Sequence, residues 1–128
     1  MPYVATLTPT DLDFGKRLTE ELKRSQFPYQ GVFWLYEEPL DDWELVVATE
    51  LVDTVGSRQT YLKLADITSK VLGSYSPMAR IAVISPKGGL YTALRSAFSQ
   101  AAGVEGTRLQ RTVVEGVFIA DSYLYEVK

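Results

Sequence analysis

Between Ser25 and Ser57 the chain carries Glu37, Glu38, Asp41, Asp42, Glu44, Glu50 and Asp53, with no Lys or Arg among them. Carboxylates at the end of one strand and the start of the next are the donors that hold Mg²⁺ or Mn²⁺ in enzymes that cleave phosphodiesters, where the ions clamp the attacking and leaving oxygens. On that reading Asp42, Glu44 and Glu50 are the acidic groups and Lys63 supplies the nearby cation. The spacing matches no calcium loop, because alternating Asp/Asn ligands, a mid-loop Gly and a terminal Glu are not in register. A Glu-x-Lys pair is absent too, since Leu45 and Val46 follow Glu44. The plainer reading is a solvated hairpin loop whose charges keep a sheet edge from aggregating.

Ser85-Pro86-Lys87-Gly88-Gly89 lies between a strand-like and a helix-like segment. Backbone amides at a helix start, beside Lys87 and with Gly88 and Gly89 allowing close approach, could cradle a phosphate or nucleotide. Neither the Gly-Lys-Ser/Thr of a phosphate-binding loop nor three spaced glycines is present, so an ordinary strand-to-helix turn competes with this reading. The third candidate is aromatic: Trp34, Tyr36 and Trp43 in the first hairpin, with Phe118, Tyr123 and Tyr125 near the end. Left partly uncovered and rimmed by acids, such a face suits a protein partner or self-association; covered, it is simply core.

What is missing narrows the chemistry further. The 128 residues include no His and no Cys. Imidazole bases, Ser-His-Asp triads, thiolate nucleophiles, disulfides and His- or Cys-ligated metals are therefore excluded. No metal site is assigned, and Mg²⁺ or Mn²⁺ enters only with the carboxylate alternative. The net charge of −3 hides an asymmetry: residues 1–53 hold 11 acids against 4 bases, and residues 54–128 hold 5 acids against 9 bases. The late bases are scattered singly, with no basic stripe that would suggest nucleic acid. Apolar runs end after a handful of residues, so no membrane span is expected. The first residues lack a basic segment followed by an apolar one, and a cytoplasmic location is the default expectation.

These side chains need a scaffold, and the hydrophobic periodicity supplies one. Thr10 and Asp13 read as a capping pair for a helix over 11–25, with Phe14, Leu18 and Leu22 on one face. Residues 31–36 and 43–51 read as a hairpin of strands around a six-residue polar loop. A helix opens at Gly56-Ser57, carries Tyr61, Leu64, Ala65, Thr68 and Leu72, and closes at Gly73. After a connector at 74–79 come a strand at 80–85, a helix with Leu90, Leu94, Ala97, Phe98 and Ala101, and a stop at Gly103. Strands at 109–114 and 117–127 end the chain, with Tyr123, Tyr125 and Val127 alternating along one face.

The order α-β-β-α-β-α-β-β predicts an α+β, mixed α/β single domain over 1–128 with one mixed sheet of about five strands. Crossover rules make the second and third strands parallel, and also the third and fourth. With most catalytic residue types absent and the first hairpin rich in aromatics, the preferred expectation is a small interaction or regulatory module. It would act through protein contacts at a sheet edge or aromatic face, as a homodimer. The alternatives are the carboxylate phosphodiesterase and the anion binder at 85–89.

Overall fold

The computed structural model describes residues 6–71, 80–98 and 103–128. The first helix, α1 (Pro9–Arg24), begins two residues earlier than the Thr10 cap predicts. Thr8 is the N-cap: its Oγ1 accepts from the Asp11 N–H at 3.1 Å, while Asp11 Oδ2 accepts from the Thr8 N–H at 3.0 Å. Pro9 decides between the two threonines, because proline is preorganised for the first helical position, which leaves the cap to its predecessor. Phe14, Leu18 and Leu22 are buried along one stripe, as their spacing requires.

β1 (Gly31–Glu37) and β2 (Asp42–Ala48) form the antiparallel hairpin, closed by a 3-10 turn over Glu38–Leu40 and by Asp41 in a left-handed conformation. The segment expected to prolong β2 to residue 51 instead turns into a short helix, α2 (Leu51–Val55), directly followed by α3 (Ser57–Thr68). Thr49 makes the turn: its Oγ1 donates to the Pro28 carbonyl at 2.6 Å, and its N–H donates to the Ile84 carbonyl at 3.0 Å. β3 (Ile81–Ile84), α4 (Gly89–Phe98), β4 (Thr107–Val114) and β5 (Val117–Val127) complete the order. The expected helix stop at Gly73, the connector at 74–79 and Ala101 lie outside the described residues. Gly103 has φ +74°, and residues 99–102 between it and the last described residue of α4 lie outside the described residues.

One five-stranded mixed sheet runs β3-β2-β1-β5-β4, and β3 pairs parallel to β2 as the crossover predicts. The expected parallel pairing of β3 with β4 is wrong, since they stand at opposite edges. The eleven-residue β5 takes the place beside the central β1, and the tight Glu115-Gly116 turn (φ +47° and +81°) holds β4 on its outer side. Helices cover both faces. Val32, Trp34, Trp43, Leu45 and Val47 pack under α1 and α3, whereas Phe33, Val46, Ala48 and Leu124 pack under α4. Strand alternation assigns β1 and β2 residues to these two cores. In β5 a register shift against Val32/Phe33 breaks the alternation, so Tyr123 and Tyr125 face α1 while Val127 joins the α4 core. No helix among the described residues is long and apolar enough to cross a membrane.

Candidate functional site

The structure does not gather the carboxylate candidates. Asp42 and Glu44 stand near the start of β2 on the α4 face, and Glu50 lies beyond the other end of that strand. Lys63 is exposed on α3, which packs on the opposite face of the sheet. Among the described residues no group of three or more acids is arranged to hold a metal ion. The stretch is also less uncompensated than it reads in sequence. Arg80, at the entrance to β3, places Nη1 2.9 Å from the buried Asp11 and Nε 3.9 Å from Asp42. Tyr36 donates its hydroxyl to Asp41, and Ser85 donates to Asp53 at 2.8 Å.

Glu44 is the acid whose environment is most altered. Partial burial, then the nearby Glu37 and Asp42 carboxylates, push its pKa up. The register explains the crowding: Glu37 pairs with Asp42 and Leu35 with Glu44, which puts the three carboxylates on one face at one end of the hairpin. An acid with a raised folded pKa holds its proton longer in the native state, so stability falls as pH climbs from the ordinary Glu value of about 4.3 through the raised one. Glu44→Gln should therefore melt higher than the parent at pH 7, with the difference vanishing below about pH 4. Melting curves across pH check this, and an unchanged or lower midpoint at pH 7 contradicts it.

At the 85–89 loop the polar groups already serve one another. Ser85 Oγ accepts from the Lys87 N–H at 3.1 Å, the Gly88 N–H donates to the Ser85 carbonyl at 3.2 Å, and the Gly88 carbonyl accepts from the Thr92 N–H at 3.0 Å. Asp53 sits against Ser85, so a carboxylate already stands beside the amides that would have met a phosphate. Lys87, Gly88 and Gly89 are exposed. Their arrangement is that of a self-capped turn.

The aromatic candidates need the largest correction. Trp34 is fully buried and Trp43 is 3% exposed, so neither offers a docking face, while Tyr36 is half-buried. Trp34 Nε1 donates to the Tyr125 hydroxyl at 3.0 Å, and that hydroxyl donates onward to the Leu12 carbonyl at 2.7 Å. Two arginines from the basic part of the chain lie over the two tryptophans: Arg80 is 5.0 Å from the Trp34 ring and Arg108 5.3 Å from the Trp43 ring. Arg108 also grips Asp121, with Nη2 at 2.6 Å. The charge asymmetry of the sequence is thus partly interleaved in space.

What remains open is at the sheet edges. β4 presents Arg108 and Arg111, and Arg111 adopts φ +43°, which breaks the regular edge. Charges and irregularities of this kind deter further strand pairing. β3 carries neither device. Its sequence Ile-Ala-Val-Ile is uncharged, and it pairs with β2 alone among the described residues. Ala82, Val83 and Ile84 remain only half-buried. Beside them Arg58, Tyr61 and Leu62 of α3 complete an open groove of about 370 Å³ with Ile81, Ala82 and Val83. Leu62 is 50% exposed. A strand over 80–85 is legible in the sequence, but its place at an edge depends on β5 displacing β4 to the far side. Comparison with protein-family models, curated proteins and solved structures finds no match to this chain.

Proposed function

We propose that the protein is an interaction module that works as a homodimer, joined through the outer edge of β3. The observation that carries this reading is the contrast between the charged, irregular β4 edge and the β3 edge, which is bare among the described residues. Direction along β3 follows from one bond: the Ile84 carbonyl accepts from Thr49 on the β2 side, so Ile84 and Ala82 point their backbone groups inward and Ile81 and Val83 point theirs outward. In an antiparallel two-fold pair, Ile81 and Val83 exchange N–H and C=O groups with Val83 and Ile81 of the second copy. Ala82 then stands opposite its own copy in the non-hydrogen-bonded position, where strands approach most closely and a small side chain fits. The apolar Leu62 and Tyr61 flank the joint. Arg80 brings little repulsion across the axis, because Asp11 neutralises it.

Sedimentation equilibrium tests the proposal. The parent should weigh twice its 14.3 kDa. Val83→Pro removes only an outward N–H and should yield monomers with parental circular dichroism. Ala82→Lys, which sets two ammonium groups face to face, should weaken dimerisation most at low salt. A parent that stays monomeric at high concentration, or a folded Val83→Pro variant that remains dimeric, overturns it.

A further inference from the structure

A second surface lies at the other end of the molecule, where the sheet splits. β1 and β5 pair only from Gly31 to Leu35, and beyond the Leu35–Ser122 partnership the two strands diverge. The end of β1 then has β2 alone beside it, and the start of β5 has β4 alone. The split opens a cleft on each side of Tyr36, Glu38 and Ala120. On the α4 side, about 290 Å³ is enclosed by Leu35, Glu37, Leu90, Val117 and Phe118, among others. On the α1 side, about 300 Å³ is bounded by Tyr36, Glu38, Arg111, Ala120 and Asp121. Large apolar side chains are unusually exposed here. Phe118 is 57% exposed, its cross-strand partner Val113 65%, and Leu40 in the adjoining turn 66%.

The rim decides what kind of ligand fits. Glu37 and Glu38 line the α4-side cleft, and Asp42 and Glu44 stand behind them on the same face through the β1–β2 register. Of the described cations nearby, Arg80 is engaged with Asp11 and Asp42 and Arg108 with Asp121, while Arg111 borders the α1-side cleft and not the α4-side one. An apolar slot with a negative rim selects against acidic ligands and favours a segment that combines a large apolar side chain with Lys or Arg. We propose that this cleft binds an extended cationic, apolar peptide segment of another protein, its apolar side chain seated against Leu35, Leu90 and Val117 and its cation against Glu37 and Glu38. The unpaired strand flanks at the split offer backbone groups to such a segment, in the manner of strand addition. Nothing in this surface overlaps the β3 edge.

Fluorescence anisotropy with a labelled Lys-Leu-Lys-Leu-Lys peptide, and its Glu-for-Lys counterpart as control, tests the proposal. The cationic peptide should bind saturably and weaken with salt, and the acidic one should not bind. Leu90→Ser, at a half-buried position in the first turn of α4, should weaken binding by about tenfold while circular dichroism stays parental. The double variant Glu37→Gln/Glu38→Gln should weaken it by a few-fold. Val83→Pro should leave the affinity unchanged, which separates this site from the dimer edge. No binding, or equal binding by the parent, Leu90→Ser and the Gln double variant, overturns the proposal. So does a fall in mass with Leu90→Ser alone, which would assign the cleft to a second copy of the chain.

Discussion

Trp34→Ala should lower the free energy of unfolding by about 3–5 kcal/mol, the largest loss expected of any single truncation in this chain. The residue is the largest fully buried side chain, and it sits at the centre of the core between the sheet and α1. Removing it leaves a cavity whose walls are strands and a helix held by their own backbone bonds, so the site can collapse only partly. Two further losses add to the cavity. The Tyr125 hydroxyl loses the indole donor that lies 3.0 Å away, and Arg80 loses the ring beneath its guanidinium while still bound to buried Asp11. Trp34→Phe separates the contributions, because it keeps much of the apolar volume and deletes the indole N–H. It should cost roughly half as much or less, about 1–2 kcal/mol. Against a total stability of about 5–15 kcal/mol, the Ala variant should show a clearly lowered denaturant midpoint. A loss below about 1 kcal/mol for Trp34→Ala would show that Trp34 is not the keystone its burial implies.

The sequence carried most of the elements because hydrophobic spacing and turn chemistry are local. Phe14, Leu18 and Leu22 marked the buried stripe of α1, and the alternation of Val32, Trp34 and Tyr36 with Phe33 and Leu35 assigned the two faces of β1. What failed depended on distant partners. The end of β2 gave way to α2 because Thr49 bonds to Pro28 and Ile84, residues far from it in the chain. The crossover rule assumed that β4 would return beside β3, yet the tight Glu115-Gly116 hairpin tied β4 to β5, and β5 won the place next to β1.

The same distinction explains the sites. Trp34, Tyr36 and Trp43 stood out by type, but whether an aromatic is core or surface depends on what crosses the sheet above it. Here Arg80 and Arg108 arrive from other strands to cover the tryptophans. The acidic stretch looked unpaired because its counter-charge, Arg80, enters 38 positions after Asp42, through a parallel strand pairing. The β3 edge and the split between β1 and β5 had no local signature at all, since both are properties of strand order.

Gly15→Ala should destabilise the protein by about 2–4 kcal/mol although it replaces the poorer helix former by the best one. In the middle of α1 the exchange alone is worth about 1 kcal/mol in favour of Ala. At this position, however, an added Cβ would fall within the van der Waals envelope of the Tyr125 ring and hydroxyl. That ring cannot simply swing away. Its hydroxyl accepts from Trp34 and donates to the Leu12 carbonyl, and its edge packs on Tyr123 with centroids 5.2 Å apart. Displacing it breaks two hydrogen bonds and strands the Trp34 N–H in the core, a penalty of about 1–3 kcal/mol. Overpacking adds about 1–3 kcal/mol more, so the clash outweighs the propensity gain. The double-mutant cycle with Tyr125→Leu gives the decisive sign. Once the ring is gone, Gly15→Ala should become neutral or stabilising by up to about 1 kcal/mol. Gly89→Ala, where an added Cβ meets nothing within 4 Å, should change little in either background. If Ala at position 15 raised the denaturation midpoint of the parent, α1 would have to lie farther from β5 than the Tyr125–Leu12 bond of 2.7 Å allows.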